Sequence, residues 1–203
     1  MEQNTIVIFT SDNGAPNYIG LPEVNRPYRG WKLTFFEGGL RVPYVAKWPG
    51  HIAAGTRYKT PVSNIDILPT VVAAAGGTVP TDRVIDGVNL LPFLNSTPTT
   101  QASRPLYWND GSYQAMLSDG WKMQVAERPK KTWLYNLNED PTEKVNLAEK
   151  RADKVAELKA MLATHNATLP PSAWPSFLES SIMIDKTLDQ PEAADDEFIF
   201  WQN

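Results

Sequence analysis

The sequence predicts an α/β protein: a sheet with flanking helices, followed by a small antiparallel β-meander packed by a helix. Three observations predict it. Thr5–Thr10 is a continuous apolar, β-branched run closed by Ser11-Asp12-Asn13-Gly14, the pattern of a strand buried on both faces in a helix-covered parallel sheet. Ile65, Leu68, Val71, Val72 and Ala75 fall at helical spacing between Ser63 and Gly76-Gly77, the stripe of an amphipathic helix. Leu106–Trp108, Tyr113–Leu117, Trp121–Ala126 and Thr132–Asn136 are short runs parted by turn residues, and Ala152–Asn166 follows with Val155, Leu158 and Leu162 on one side. That is a meander and its covering helix.

The elements follow in order. Val42–Trp48 reads as a second strand, closed by Pro49-Gly50. Between the first two strands lies a long Gly/Pro-rich connection carrying Arg26, Arg29 and Lys32, and irregular connections of that length usually carry function. Ser63 can cap the helix with Asp66 three residues on, and Pro69 in its first turns is expected to bend it if the helix begins this early. Asp86–Leu94 reads as a turn plus a short helix. Asn95–Arg104, rich in Thr, Ser and Pro, is the linker candidate. It sets the expected organisation: an α/β part over 1–98, a small sheet-plus-helix part over 99–168, and an extended tail over 169–203. In the tail, Phe198, Phe200 and Trp201 are available to dock on a surface. Asp119-Gly120 is a hairpin-turn signal.

With 203 residues, 42% of them hydrophobic, and seven Trp, the chain can build a packed core. A net charge of −4 argues against nucleic acid as a partner. No run approaches transmembrane length, which argues against a membrane partner, and Met1-Glu2-Gln3-Asn4 does not read as a signal peptide. The absence of cysteine excludes disulfides, thiolate metal sites and a Cys nucleophile, and leaves the compartment open. Two histidines, His51 and His165, argue against a multi-histidine zinc site within one chain.

Asp12 and Asn13 follow a strand end, where two side-chain oxygens can meet one hard cation. The competing reading is an Asp-Asn-Gly turn with self-satisfied side chains. Lys32, among Gly30, Trp31, Gly38 and Gly39, can neutralise a sulfate or phosphate oxygen as a point charge, or be an ordinary solvated loop lysine. Arg41 beside Glu37 reads as a structural ion pair. His165, three residues after Leu162 on the apolar side of the last helix, reads first as a structural histidine. It is also kept as a metal-ligand candidate because nitrogen donors are so few.

Thr10-Ser11-Asp12-Asn13-Gly14, Arg29-Gly30-Trp31-Lys32, Glu37-Gly38-Gly39-Leu40-Arg41-Val42-Pro43, Ser63-Asn64-Ile65-Asp66-Ile67-Leu68-Pro69-Thr70 and Asp86-Gly87-Val88 form an ordered series. Gly120-Trp121-Lys122, Leu134-Tyr135-Asn136-Leu137 and Asp140-Pro141-Thr142-Glu143 continue it. Over about residues 4–165 this series resembles the later part of the type I sulfatases of the alkaline phosphatase superfamily. The resemblance implies a partial sulfatase-type sheet. It implies Asp12 and Asn13 as two ligands of a divalent metal ion, commonly Ca²⁺, with Mg²⁺, Mn²⁺ or Zn²⁺ possible here. Lys32 matches the catalytic-site lysine that contacts the sulfate.

The family's other metal aspartates, its assisting histidines and its formylglycine motif, Cys/Ser-x-Pro-x-Arg, precede the region matched. The one x-x-Pro-x-Arg string, Asn25-Arg26-Pro27-Tyr28-Arg29, begins with Asn, which cannot become formylglycine. Met1 therefore reads as an internal start and the chain as the C-terminal part of a sulfatase. Full-length relatives of this kind are often periplasmic, secreted or lysosomal. Two functions are expected to compete. One is a metal-dependent hydrolase of small anionic or activated sulfate and phosphate esters, with a metal-bound water replacing formylglycine. The other is an inactive structural or association module. An enzyme completed by a separate N-terminal chain is a third. An uncovered strand edge and apolar faces predict a homodimer or larger homo-oligomer.

Overall fold

A computed structural model describes residues 2–94, 104–174 and 176–202. Its packing divides into two compact units, one of Met1–Asp12 with Pro43–Ser103 and one of Asn13–Val42 with Arg104–Asn203. All of the expected linker except Arg104 lies outside the described residues.

In the first unit, β1 (Val7–Thr10) pairs antiparallel with β2 (Tyr44–Lys47), Val7 opposite Lys47 and Thr10 opposite Tyr44. This corrects the expectation of a parallel, doubly covered strand. Val7 and Phe9 are 54% and 66% exposed, and Val45 on β2 is 58% exposed. The apolar run marks two apolar faces correctly; nothing in it names the neighbouring strand or says what covers each face. Ser63 opens the next element with a capping box, its N–H donating to Asp66 Oδ2 at 2.8 Å. A 3₁₀ turn over Asn64–Asp66 leads into α2 (Ile67–Ala74). Pro69 falls in the first turn of α2, where a missing N–H has no partner within the helix to lose. Gly76, at φ +73°, ends the helix in the left-handed region.

Asp66 is fully buried, and its second oxygen accepts the Val88 N–H at 2.8 Å. That bond draws Asp86-Gly87-Val88 onto the helix start. A Cβ on Gly87 would stand 2.0 Å from the Ile65 carbonyl oxygen, so only glycine lets the two backbones meet. The Leu90 N–H then donates to Thr70 Oγ1 at 3.0 Å, ahead of α3 (Leu91–Leu94).

In the second unit, β3 (Leu106–Asp110), β4 (Tyr113–Ser118), β5 (Trp121–Ala126) and β6 (Lys131–Asn136) form the expected four-stranded antiparallel meander. Asp119 and Gly120 both take positive φ, 50° and 79°, as a tight two-residue hairpin turn requires. Alternation along the strands gives the sheet two packed faces. Met116, Met123 and Leu134 pack against Leu158 and Leu162 of α4 (Ala152–Asn166). Tyr113, Ala115, Trp133 and Tyr135 pack against Phe35 and Phe36, from the segment that precedes α1 (Glu37–Leu40).

The same face receives the chain's C-terminal part, which is not an extended tail. β7 (Glu179–Met183) and β8 (Phe198–Gln202) form an antiparallel pair, and Ile182, Ile184 and Ile199 are buried in the core. The acidic run between them supplies counterions. Arg29 bonds Asp185 at 2.7 and 2.6 Å, Tyr135 Oη at 3.2 Å, and Glu197. Glu197 also pairs with Lys131, and Lys186 reaches Asp196 at 2.7 Å.

Partial burial opposes ionisation of the Glu197 carboxyl, but hydrogen bonds from Arg29 and Lys131 outweigh it and hold its pKa at about 2, below the ordinary 4.5. A depressed carboxyl stabilises the fold above its unfolded pKa and stops doing so as pH falls through the folded one. Urea unfolding of the wild type should therefore lose up to about 3 kcal/mol from this group as pH drops from about 4.5 towards 2. In Glu197→Gln that share should already be missing at pH 7, leaving a flatter acid limb.

Candidate functional site

The stretch from Tyr28 to Pro43 is built of backbone packed on backbone. Thr34 closes a tight turn on Trp31: its N–H donates to the Trp31 carbonyl at 2.9 Å. Its hydroxyl donates to the same carbonyl at 2.8 Å and accepts the Trp31 N–H at 3.1 Å. Lys32 and Leu33 are the two central residues of that turn. Leu33 has φ +76°, a conformation that usually takes glycine. Lys32 is half-buried, and its ammonium enters no ion pair among the described residues.

Three glycines let neighbouring strands of this loop touch. A Cβ on Gly14 would lie 1.7 Å from the Gly38 carbonyl oxygen, and one on Gly38 would lie 2.3 Å from that of Gly30. A Cβ on Gly39 would meet the Thr34 and Trp31 carbonyl oxygens at 2.2 and 2.3 Å. Hydrogen bonds run through the same stack, from Gly14 N–H to Gly39 C=O at 2.9 Å and from Lys32 N–H to Ala15 C=O at 3.1 Å. Asn25 staples it, donating to the Ala15 and Gly30 carbonyls at 2.8 and 3.1 Å and accepting the Ala15 N–H at 2.9 Å. Asn13 and Lys32 thus share one backbone frame, and Asn13 Nδ2 donates to the Gly14 carbonyl at 3.0 Å, which orients its amide.

Asp12 ends the first segment of the first unit, exposed just beyond β1, and its Oδ1 accepts the Ser11 hydroxyl at 3.4 Å. Asn64 secures that strand end: its Nδ2 donates to the Ser11 carbonyl at 3.1 Å and its Oδ1 accepts the Thr10 hydroxyl at 3.3 Å. His165 lies near the end of α4 with its ring stacked on Tyr107, centroids 3.9 Å apart and planes within 3°. His51 stacks on Trp48 at 3.8 Å. Among the described residues, no group of three or more His, Asp or Glu is arranged to hold a metal.

Sequence reasoning missed a buried ionic cluster behind the loop. Lys122 Nζ, from the second residue of β5, reaches Glu37 Oε1 at 2.7 Å and Glu143 Oε1 at 3.0 Å, with all three residues buried. The other Glu143 oxygen accepts the Glu37 backbone N–H at 2.6 Å. Gln124 donates to Glu143 at 3.3 Å and accepts the Tyr113 hydroxyl, which itself accepts the Phe35 N–H at 2.9 Å. Arg41 pairs with the remaining Glu37 oxygen at 3.4 Å, as its position suggested, but from the exposed side. A lysine and a glutamine inside a strand of the packed meander were the available signal, since a buried ammonium requires a counterion. Burial alone would lower the Lys122 pKa; the charges of Glu143 and Glu37 overcome that and raise it. Burial raises the Glu143 carboxyl despite Lys122.

A cleft of about 390 Å³ opens beside this frame, between Pro22–Trp31, Thr142–Lys144 and the Ile184, Asp185 and Glu197 side of the C-terminal hairpin.

A family model described as Sulfatase matches residues 1–77. The chain is 36% identical over 147 residues to steryl-sulfatase of Rattus norvegicus, covering 70% of this chain and 25% of that protein. It is 51% identical over 94 residues to N-acetylgalactosamine-6-sulfatase of Homo sapiens, covering 45% and 18% respectively. The chain thus spans about a quarter or less of the length of these curated relatives. Among solved structures, the crystal structure of Ps i-CgsB superposes with a TM-score of 0.72 at 26% identity, covering 92% of this chain and 40% of that one.

The glycine stack makes a direct demand. Gly14→Ala places a methyl on the Gly38 carbonyl, and overpacking of this kind costs about 1–3 kcal/mol. Denaturant unfolding should show that loss, whereas Gly55→Ala, where a Cβ meets nothing within 4 Å, should show only the smaller strain of its positive φ.

Proposed function

Because the chain belongs to the sulfatase family and corresponds to a C-terminal portion of it, we propose that it carries the ion- and ester-binding loops of a hydrolase acting on sulfate or phosphate esters. The observation that supports this most is the shared frame of Asn13 and Lys32, held by the Lys32–Ala15 and Gly14–Gly39 backbone hydrogen bonds. In this reading Asp12 and Asn13 are ligands of a divalent ion, and Lys32 binds a non-bridging oxygen of the ester. The donors fit a hard cation: a carboxylate and an amide oxygen suit Ca²⁺, Mg²⁺ or Mn²⁺. They are fewer than the six to eight oxygens that Ca²⁺ takes, so further ligands complete the set. His165 does not join that set: it stacks on Tyr107 on the α4 face of the meander, whereas the loop's Phe35 and Phe36 pack on the other face.

A divalent ion would supply Lewis-acid polarisation of the ester and acidify water. The protein's share is positioning. A lysine at the tip of a turn closed by three hydrogen bonds to Trp31 loses little freedom on binding an anion. Its charge offsets the negative charge that builds on the ester oxygens as the bond to the leaving group breaks. Esters with good leaving groups, phosphoesters above all, make the least demand on such a site.

A second reading, an association module, is favoured by the exposed apolar side chains of Val7, Phe9 and Val45 on the β1–β2 pair. Burying that face between two copies would make a homodimer. Light scattering that finds only monomer across the micromolar range would remove this reading.

For the hydrolase reading, purified protein should contain stoichiometric divalent metal by mass spectrometry. It should also turn over nitrophenyl phosphate and sulfate esters in a chelator-sensitive manner. Asp12→Ala should lose metal and turnover together. Lys32→Ala should keep metal and lose roughly 10²–10³-fold in turnover. Metal-free, inactive wild type would leave the association module as the function.

A further inference from the structure

The Lys122–Glu37–Glu143 cluster lines no cleft with Lys32, yet it converges on Glu37, which leads into the frame that carries Lys32. Glu37 is the first residue of α1, and it is held three ways: its carboxylate by Lys122 and Arg41, and its backbone N–H by Glu143. The next two residues are Gly38 and Gly39. Gly38 donates its N–H to the Arg29 carbonyl at 2.7 Å, and Gly39 accepts the Gly14 N–H at 2.9 Å. Without side chains these glycines cannot be anchored by packing, so their height over Gly30, Trp31 and Thr34 is set by the residues on either side. On one side that residue is Glu37.

We infer that Lys122 and Glu143 are positioning residues for the loop that carries Asn13 and Lys32, so that the antiparallel meander is part of the scaffold of the candidate site. The two side chains act through Glu37 and touch no substrate. Lys122 comes from β5, the strand at the heart of the meander, and Glu143 from the segment after β6, at φ +57°. A residue with a side chain accepts that backbone region at a cost, and here the conformation lets the Glu143 carboxylate reach the Glu37 N–H while its other oxygen meets Lys122. An apolar packing contact would leave α1 free to slide over the sheet. An ion cluster with a backbone N–H as its third point fixes it in three directions.

The inference rests on the reading of Asn13 and Lys32 as binding residues, but its principal test does not. Amide hydrogen exchange on the intact protein reads the loop directly, through Gly14 and Lys32, whose N–H groups are bonded only within the frame. In Lys122→Met, these two amides together with Gly38 should exchange at least tenfold faster relative to β4 and β6 amides than in wild type. Lys122→Arg, which keeps the charge, should restore most of that protection. Leu162→Ala, which loosens the other face of the sheet, serves as the control: it should speed all amides in step without singling out the loop. Equal acceleration everywhere in Lys122→Met, or no rescue by arginine, would overturn the inference. Should Lys122→Met fail to fold, Glu143→Gln, which keeps an acceptor for the Glu37 N–H but removes one charge, is read in the same way, with loop-selective acceleration expected. Titration with inorganic sulfate tests the underlying reading separately. If wild type binds sulfate and Lys32→Ala does not, Lys122→Met should bind it several-fold more weakly. If wild type binds none, the reading of Lys32 fails while the exchange result still stands or falls alone.

Discussion

One lysine that cannot reach water sets the terms for much of the larger unit. Lys122 sits near the start of an inner strand whose sheet is packed on both faces, and its side chain is fully buried. Left alone there, an ammonium would be strongly disfavoured. Two carboxylates meet it, and both come from outside the meander strands: Glu37 from the loop before β2 and Glu143 from the turn after β6. The charge on β5 therefore dictates where two other segments must lie. Replacing such a cluster with well-packed apolar side chains is often neutral or stabilising. What apolar packing would not reproduce is direction, because the contacts between Glu37, Glu143 and Lys122 are satisfied at one placement of α1 over the sheet.

The other charged network plays the same part at the C-terminal end. Arg29, from the loop, holds Asp185 and Glu197, which flank the last pair of strands, and its guanidinium also lies 4.9 Å over the Phe36 ring. Phe36 in turn packs edge-on against Trp133 of β6. Residues 29–37 are thus held between two ionic clusters, one reaching the meander and one reaching the hairpin, with an aromatic layer between them. Loops rich in glycine lose much conformational entropy on ordering. Here the ordering comes from charged and aromatic residues at the loop's margins, leaving the glycines to do what side chains would prevent.

This explains what the sequence made legible and what it hid. The meander could be read because each strand announces itself locally, by alternation and by turns such as Asp119-Gly120 whose residue types carry their own geometry. The Ser63–Asp66 helix start was equally local. The direction of the β1–β2 pairing was not, because a run of apolar residues says how buried a strand could be but not which way its neighbour runs. The hairpin at the chain's end was hidden for a related reason: β7 and β8 are separated by 14 residues, and each is too short to show a period. Nothing local marked Asp185 and Glu197 as paired, because their partners, Arg29 and Lys131, lie far away in sequence. Lys32, Asp12 and Asn13 stood out by motif, whereas Lys122 and Glu143, within motifs of the same series, carried no sign of meeting at Glu37.

The glycines of the loop show why the placement of Lys32 depends on residues far from it. Ordinarily a loop is positioned by side chains that fill holes in the fold beneath it, and each contact resists displacement independently. Gly14, Gly38 and Gly39 instead meet their neighbours as bare backbone, where a Cβ would fall 1.7 to 2.3 Å from a carbonyl oxygen. Such packing is close but offers little grip: carbonyls and amides sliding past one another lose hydrogen bonds, not interlocked volume. Leu33, held at φ +76° beside Lys32, adds a local preference to relax. Resistance has to come from the ends of the stack, and there the structure supplies Asn25 on one side and the thrice-held Glu37 on the other. A loop built this way brings its backbone closer than any side-chain-packed loop could, and its geometry is then set by the charges that hold its margins.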